Sequence, residues 1–265
     1  MSMALFDLRG YVAMVTGGNK GIGRGLSIGY AQHGAAVVVA ARDRAASEDV
    51  KKEIEAMGGQ CLVVECDVAK SGDIEAALEA CKKRFGRLDI LVANAGVAGT
   101  DMASSGDLKR MMDEEWDRVI NVNLSSVFRC CRAAFPMLRE SGRGRIITVG
   151  SMYSLMGSMN SVAYSASKGG IVQLTKSLAV SWAQFKINVN CLLPGWIKSG
   201  ILNDEIKQVF GKVIEDKTPI SRIGEPADCA GAAVFLSGPA SEFVTGISLP
   251  VDGGFSISAA PRSGL

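Results

Sequence analysis

The chain has 265 residues, 48% of them hydrophobic and 21% charged, with a formal net charge of +2. That is the composition of a soluble globular protein long enough to bury a sizeable core, and the small net charge leaves no basic footprint for nucleic acid or an anionic membrane surface. Apolar runs such as Ala35 to Ala41 fall far short of the roughly 20 residues a bilayer requires. The N-terminus also lacks the apolar stretch of a secretory signal, so a cytoplasmic protein with no membrane or nucleic-acid partner is expected.

Seven cysteines form no CxxC pair, and their odd number suits a reducing compartment, with most of them serving as small core residues. The one histidine, His33, falls in Gln32-His33-Gly34 at the end of a predicted helix, a surface position. Metal sites built from histidine clusters are therefore excluded, and no metal is expected.

From Tyr11 the sequence alternates between short apolar runs and helical patterns. Strands are predicted at Val12 to Thr16, Ala36 to Ala40, Cys61 to Glu65 and Ile90 to Ala93, and helices at Ile22 to Gln32, Ala46 to Met57 and Asp73 to Arg84. The strands lack polar alternation, as when helices cover both faces of a parallel sheet. Asp113 is a plausible N-cap for a long helix reaching about Glu140, with a kink near Pro136. A strand at Arg145 to Val149, a helix at Tyr164 to Trp182 and a strand at Ile187 to Leu192 follow. Residues 196–222 read as a helical insertion that binds substrate. A helix from Pro226 to Leu236, a strand near Ile247 to Val251 and a tail over 255–265 complete the chain. No Pro-rich, Ser-rich or highly charged stretch divides it, so residues 1–265 are read as a single doubly wound α/β domain of Rossmann type, its sheet mainly parallel.

Between the first strand and the first helix lies Thr16-Gly17-Gly18-Asn19-Lys20-Gly21-Ile22-Gly23. Glycines there let the backbone turn sharply and approach a pyrophosphate at the positive end of a helix, so a dinucleotide site is inferred. The end of the second strand selects the dinucleotide. A carboxylate would accept hydrogen bonds from the adenosine ribose and repel a 2′-phosphate, whereas a guanidinium would bind that phosphate. Here Ala41 precedes Arg42, and Lys20 can add a second positive charge, which favours NADP(H). Pairing of Arg42 with Asp43 or Glu48 would weaken that reading, and a ribose held by Asp43 would make NAD(H) the cofactor.

The ordered set Thr16-Gly-x-x-x-Gly-Ile-Gly23, Asp67-Val68, Asn94-Ala95-Gly96, Asn123, Ser151, Tyr164-x-x-x-Lys168, Pro194-Gly195 and Val251-Asp252-Gly253-Gly254 resembles the short-chain dehydrogenase/reductase family over nearly the whole chain. One departure is Ala93, where many members carry Asn. The resemblance is strongest to the 3-oxoacyl-carrier-protein reductase and the sugar or polyol dehydrogenase groups, which short motifs do not separate.

Residues four apart on a helix share a face, so Tyr164 and Lys168 can point into one cleft. A free phenol ionises at about 10, and a neighbouring ammonium should ease that ionisation. The resemblance implies that Tyr164 is general acid in reduction and general base in oxidation. It further implies that Lys168 assists Tyr164 and binds the nicotinamide ribose, that Ser151 hydrogen-bonds the substrate oxygen, and that Asn123 anchors a water leading from Lys168 to solvent. Asp67 and Val68 would border the adenine, Asn94, Ala95 and Gly96 the cofactor groove, and Pro194, Gly195, Ile197 and Ser199 the nicotinamide side.

The candidate substrate pocket comprises Ser151, Tyr153, Met156, Asn160, Tyr164 and Trp196, with Met152, Leu155, Ile201 and Leu202 as further walls. It is mostly apolar and does not name the substrate. The activity implied is NADPH-linked reduction of a carbonyl, with NAD(H)-linked polyol or sugar-acid oxidation as the alternative. A non-catalytic dinucleotide-binding regulator is a third reading. A serine hydrolase is excluded, because Ser151 lies in no GxSxG elbow and His33 is the one histidine available as a base. The family also implies a homo-oligomer, commonly a tetramer, assembled through the helices at Asp113 to Glu140 and Tyr164 to Trp182.

Overall fold

The computed structural model describes residues 5–98, 111–158, 161–199, 202 and 204–259. The short apolar runs become seven strands: β1 (Val12–Thr16), β2 (Ala36–Ala41), β3 (Cys61–Glu65), β4 (Ile90–Ala93), β5 (Arg145–Val149), β6 (Asn188–Pro194) and β7 (Ser248–Val251). They form one sheet in the order β3-β2-β1-β4-β5-β6-β7, and every neighbouring pair is parallel. Parallel neighbours require crossover connections. The helices are α1 (Gly21–Gln32), α2 (Arg44–Ala56), α3 (Ser71–Phe85), α4 (Asp113–Ile120), α5 (Ser126–Ser141), α6 (Val162–Trp182), α7 (Asp204–Lys217) and α8 (Ala230–Ser237).

Successive strand residues point to opposite faces, and both faces are buried. Val12, Met14, Val38 and Ala40 join one core with Leu78 and Cys81 of α3, Cys130 and Leu138 of α5, and Ile171 of α6. Ala13, Val15, Val37 and Val39 join the other with Leu26 and Tyr30 of α1, Val50 and Ile54 of α2, and Val234 of α8. All seven cysteines are buried and unpaired, and burial pushes the Cys66 thiol up to about 11. His33 is exposed just beyond α1. Among the described residues no helix is long and apolar enough to cross a membrane.

The long helix predicted from Asp113 differs in two ways. Met112 holds the N-cap position, with Asp113 the first helical residue, and the regular ladder gives way to a π turn over Asn121–Ser125 while Pro136 lies inside α5. The insertion contains α7, and Leu202, Ile214 and Ile223 cluster with Trp196. At the start of the tail, Phe255 is buried beside Trp196, their rings 6.4 Å apart. The strand order runs one way from β1 through β2 to β3 and the other from β4 onward, so the crevice at the carboxyl ends of β1 and β4 is where a doubly wound sheet takes its ligand.

Candidate active site

A cleft of about 1400 Å³ opens at that crevice. The glycine loop forms its floor, with Gly17 and Gly21 at positive φ (64° and 49°), a conformation that L side chains adopt at a steric cost. At Gly23 a Cβ would lie 2.1 Å from the Gly17 carbonyl oxygen, so only glycine lets α1 start this close to the loop. No side chain caps α1, and no acidic residue stands in its first turn. By contrast, Asp43 caps α2 through Ala46 N–H (3.1 Å). The first amides of α1 therefore have no side-chain acceptor at the cap, and the helix dipole favours an anion there.

Thr16 and Asn94 tie the loop to β4. The Thr16 Oγ1 accepts from the Asn94 and Ala95 amides (3.0 and 3.1 Å), while Asn94 Nδ2 donates to the Thr16 carbonyl (2.9 Å). Asn19 borders the cleft, but its amide is turned towards α2, donating to the Asp43 carbonyl (2.9 Å) and to Ser47 Oγ (3.1 Å).

At the end of β2 the three charged groups sort themselves. Lys20 Nζ lies 2.7 Å from Asp43 Oδ2, and this contact with the α2 cap holds the Asp43 carboxyl below its ordinary range. Arg42 borders the cleft, exposed, with no hydrogen bond or ion pair among the described residues. Its anticipated partner Glu48 instead approaches Arg44 at 3.9 Å. Asp67 and Val68 line the adjoining wall, where Asp67 Oδ1 accepts from Ala69 N–H (3.0 Å).

The π turn at the end of α4 carries Asn123, which is fully buried. Its amide bonds both backbone groups of Val97 and donates to Ser167 Oγ on α6 (3.2 Å), so both donor hydrogens are engaged within the protein. π turns occur often at functional sites.

Ser151 follows β5 in an extended conformation and starts a short 3₁₀ turn at Met152–Ser154. Tyr164 and Lys168 share a face of α6, as their spacing predicts, with Lys168 buried and Tyr164 half-buried. Lys168 Nζ donates to the Val149 carbonyl (2.8 Å) and lies 5.5 Å from the centre of the Tyr164 ring. The expected easing of phenol ionisation is not what this geometry produces. Burial pushes Tyr164 up to about 12, opposed by the Ser151 hydroxyl, and draws Lys168 down to about 8. The ammonium sits against a carbonyl and over the ring rather than at the phenolic oxygen, so desolvation outweighs charge attraction.

Pro194, Gly195, Ile197 and Ser199 border the cleft from the β6 side. Gly195 runs so close to β7 that a Cβ would lie 2.6 Å from Asp252 Cβ. Tyr153 and Trp196 form an edge-to-face pair (6.3 Å), and Tyr153 makes a second one with Tyr164 (6.5 Å). Met152 and Leu202 also line the wall, whereas Leu155 is exposed and Met156 does not border the cleft. The 3₁₀ turn brings Tyr153 to the cleft and leaves Leu155 facing outward. Asn160 and Ile201 lie outside the described residues. Val97, Ala98, Arg118, Val122 and Ser161 border the cleft without having been singled out. Arg118 pairs with Glu115 and donates to the Ala98 carbonyl, contacts that no short motif signals.

A glycine-loop cleft at the reversal point of a doubly wound sheet, with Ser, Tyr and Lys gathered at one end, is the architecture of a dinucleotide-linked oxidoreductase. The family profile described as enoyl-(acyl carrier protein) reductase matches residues 17–256. The 2-dehydro-3-deoxy-D-gluconate 5-dehydrogenase of Escherichia coli (strain K12) is 34% identical over 260 residues, covering 96% of this chain and 99% of that protein. A gluconate 5-dehydrogenase from Burkholderia cenocepacia J2315, solved with NADP and tartrate, superposes with a TM-score of 0.90 at 31% identity over 98% of this chain and 100% of that one. A 3-ketoacyl-(acyl-carrier-protein) reductase from Brucella melitensis, solved with NADH, gives a TM-score of 0.86 at 36% identity over 94% of this chain and 100% of that one. The chain belongs to the short-chain dehydrogenase/reductase family of oxidoreductases.

Proposed function

We propose that this protein is an NADP(H)-dependent ketoreductase, moving hydride between the nicotinamide and a carbonyl or secondary alcohol carbon. The observation that carries the cofactor choice is the free Arg42 guanidinium at the end of β2, beside a Lys20–Asp43 pair that occupies the competing carboxylate. The positive-φ glycines and the uncapped start of α1 fit a pyrophosphate, and Arg42 fits a 2′-phosphate.

When bound, the nicotinamide supplies the hydride. Tyr164 holds the proton for the substrate oxygen: with its phenol pushed up to about 12 it stays protonated at neutral pH, the form a general acid needs in reduction. Ser151 donates a hydrogen bond to the same oxygen as negative charge develops there. Lys168, anchored to Val149, provides positive charge beside the phenol and a donor for the nicotinamide ribose. Asn123 fixes the Val97 loop alongside. Asp67, Val68, Asn94, Ala95 and Gly96 line the cofactor's path, with Pro194, Gly195, Ile197 and Ser199 at its nicotinamide end, while Tyr153 and Trp196 wall the substrate.

The test is a binding titration with NADPH and NADH on the protein and its Arg42→Asp variant, followed by a carbonyl panel with the preferred cofactor. Tighter NADPH binding, lost in the variant, supports the reading. Preference for NADH in the unaltered protein overturns it and favours NAD(H)-linked oxidation of a polyol or sugar acid, a reading to which the likeness to a sugar-acid dehydrogenase lends support. Exposed Phe128 on α5 and Val180 on α6 favour a homo-oligomer through those helices, a tetramer by family; sedimentation showing only monomer at micromolar concentration would remove that claim.

A further inference from the structure

Ser154 belongs to none of the residue sets above, yet its hydroxyl joins two of them. Its Oγ accepts from the Ser151 amide (3.1 Å) and donates to the main-chain carbonyl of Lys168 (2.8 Å). Both roles are forced, because an amide N–H can only donate and a carbonyl can only accept. The Ser151 hydroxyl in turn accepts from Tyr153 N–H (3.2 Å), completing a reciprocal capping box around the 3₁₀ turn. Lys168 also reaches the same strand end through its side chain, to the Val149 carbonyl. The segment Val149–Ser154 is thus held to α6 at both the main chain and the side chain of one residue, with Ser151 between the two attachments. The fit around it is tight: at Gly150 a Cβ would lie 2.6 Å from Leu193 Cδ2 and 2.8 Å from Ser154 Oγ.

We propose that Ser154 is a positioning residue that sets Ser151 against Lys168, and that it acts on the reaction through those two residues. This rests on the reading of Ser151, Tyr164 and Lys168 as the reacting group. A cap that merely stabilised the turn would alter unfolding without altering the chemistry of either neighbour.

The experiment compares the full-length protein with Ser154→Ala, Ser151→Ala and the double variant, using NADPH and ethyl acetoacetate as a 3-oxo ester probe. Lys168 titration is followed in parallel by NMR of carbon-13-labelled lysine, which needs no turnover. Ser154→Ala is expected to lower kcat about tenfold, with KM and NADPH affinity within about twofold. In the Ser151→Ala background the same change should cost clearly less than about tenfold, because one of the two residues it acts through has gone. Ser154→Thr, which keeps the hydroxyl, should restore most of the rate, and the Lys168 titration in Ser154→Ala should move upward as water enters. A wild-type kcat, or an undiminished loss in the Ser151→Ala background, overturns the proposal. If the unaltered protein does not reduce the ester, the fault lies with the functional reading, and the Lys168 titration still decides: no movement overturns the role of Ser154. Should Ser154→Ala fail to fold, Ser154→Cys is read in its place by the same criteria.

Discussion

Asn123 gives Val97 the hydrogen bonds a strand neighbour would have given: its Oδ1 accepts the Val97 amide at 2.8 Å and its Nδ2 donates to the Val97 carbonyl at 2.9 Å. Asn123→Ala would strand both backbone groups and the Ser167 contact, each unmade bond leaving a desolvation cost of about 1–3 kcal/mol. A fall in unfolding free energy of about 2–4 kcal/mol is expected, measured by urea denaturation. Asn123→Asp keeps the acceptor and loses the donors, so it should fall between Asn123→Ala and the unaltered protein.

Tyr164→Phe removes the proton and leaves the ring packed against Tyr153. Turnover should drop by at least about a thousandfold, within the range associated with positioned acid–base groups. NADPH binding, measured by titration of cofactor fluorescence, should stay within about threefold, since the variant changes only the acid. Retained turnover would remove Tyr164 from the proton's path.

Lys168 makes stability depend on pH in a direction that follows from its burial. Its folded value is about 8 against an ordinary 10.5, so below about pH 8 the folded and unfolded chains are both protonated there and the cost of the buried charge is fully present. Between about 8 and 10.5 the unfolded lysine holds more proton than the folded one, and this contribution to stability rises with pH. Buried cysteines and Tyr164, whose values are raised, act in the opposite sense as their unfolded forms ionise. Those opposing contributions cancel when the protein is compared with Lys168→Met. The difference in unfolding free energy between the two should change by about 2 kcal/mol between pH 7.5 and 9.5, in favour of the lysine form; a flat difference would mean that Lys168 is not held as described.

Asp43→Ala separates the two duties of that carboxylate. Loss of the cap should lower the stability of α2 modestly, and loss of the exposed pair with Lys20 should add little. With the negative charge gone from beside Arg42, NADPH should bind a few-fold more tightly and NADH no better, as read by parallel titrations.

The strands were legible because both faces of each are buried, which writes Val12 to Thr16 or Ile90 to Ala93 as unbroken apolar runs. The Tyr164–Lys168 face was legible because helical periodicity is local. What resisted reading depended on contacts distant in sequence. Nothing in Asn121 to Ser125 announces a π turn, whose Asn123 finds partners at Val97 and Ser167. The balance between burial and charge at Tyr164 is likewise set by surrounding elements. Arg42 and Asp43 are neighbours in the chain, and only the Ala46 cap and the Lys20 contact show which of them is occupied. Ser154 did carry a local signal, a serine three residues after another serine at the end of a strand, in a region where attention falls on the first.

The π turn also fixes where this chain can exchange segments with its relatives. One residue inserted into an α-helical ladder would rotate everything beyond it by about 100°, and the wide π turn between α4 and α5 takes up such a residue locally. Deleting a single residue within Asn121–Ser125 would restore the regular ladder and swing Asn123 off Val97, while the apolar face of α5 stayed against the sheet. Crossovers between homologous chains should therefore fall outside this stretch, where a change of length is absorbed by solvent and not by the core.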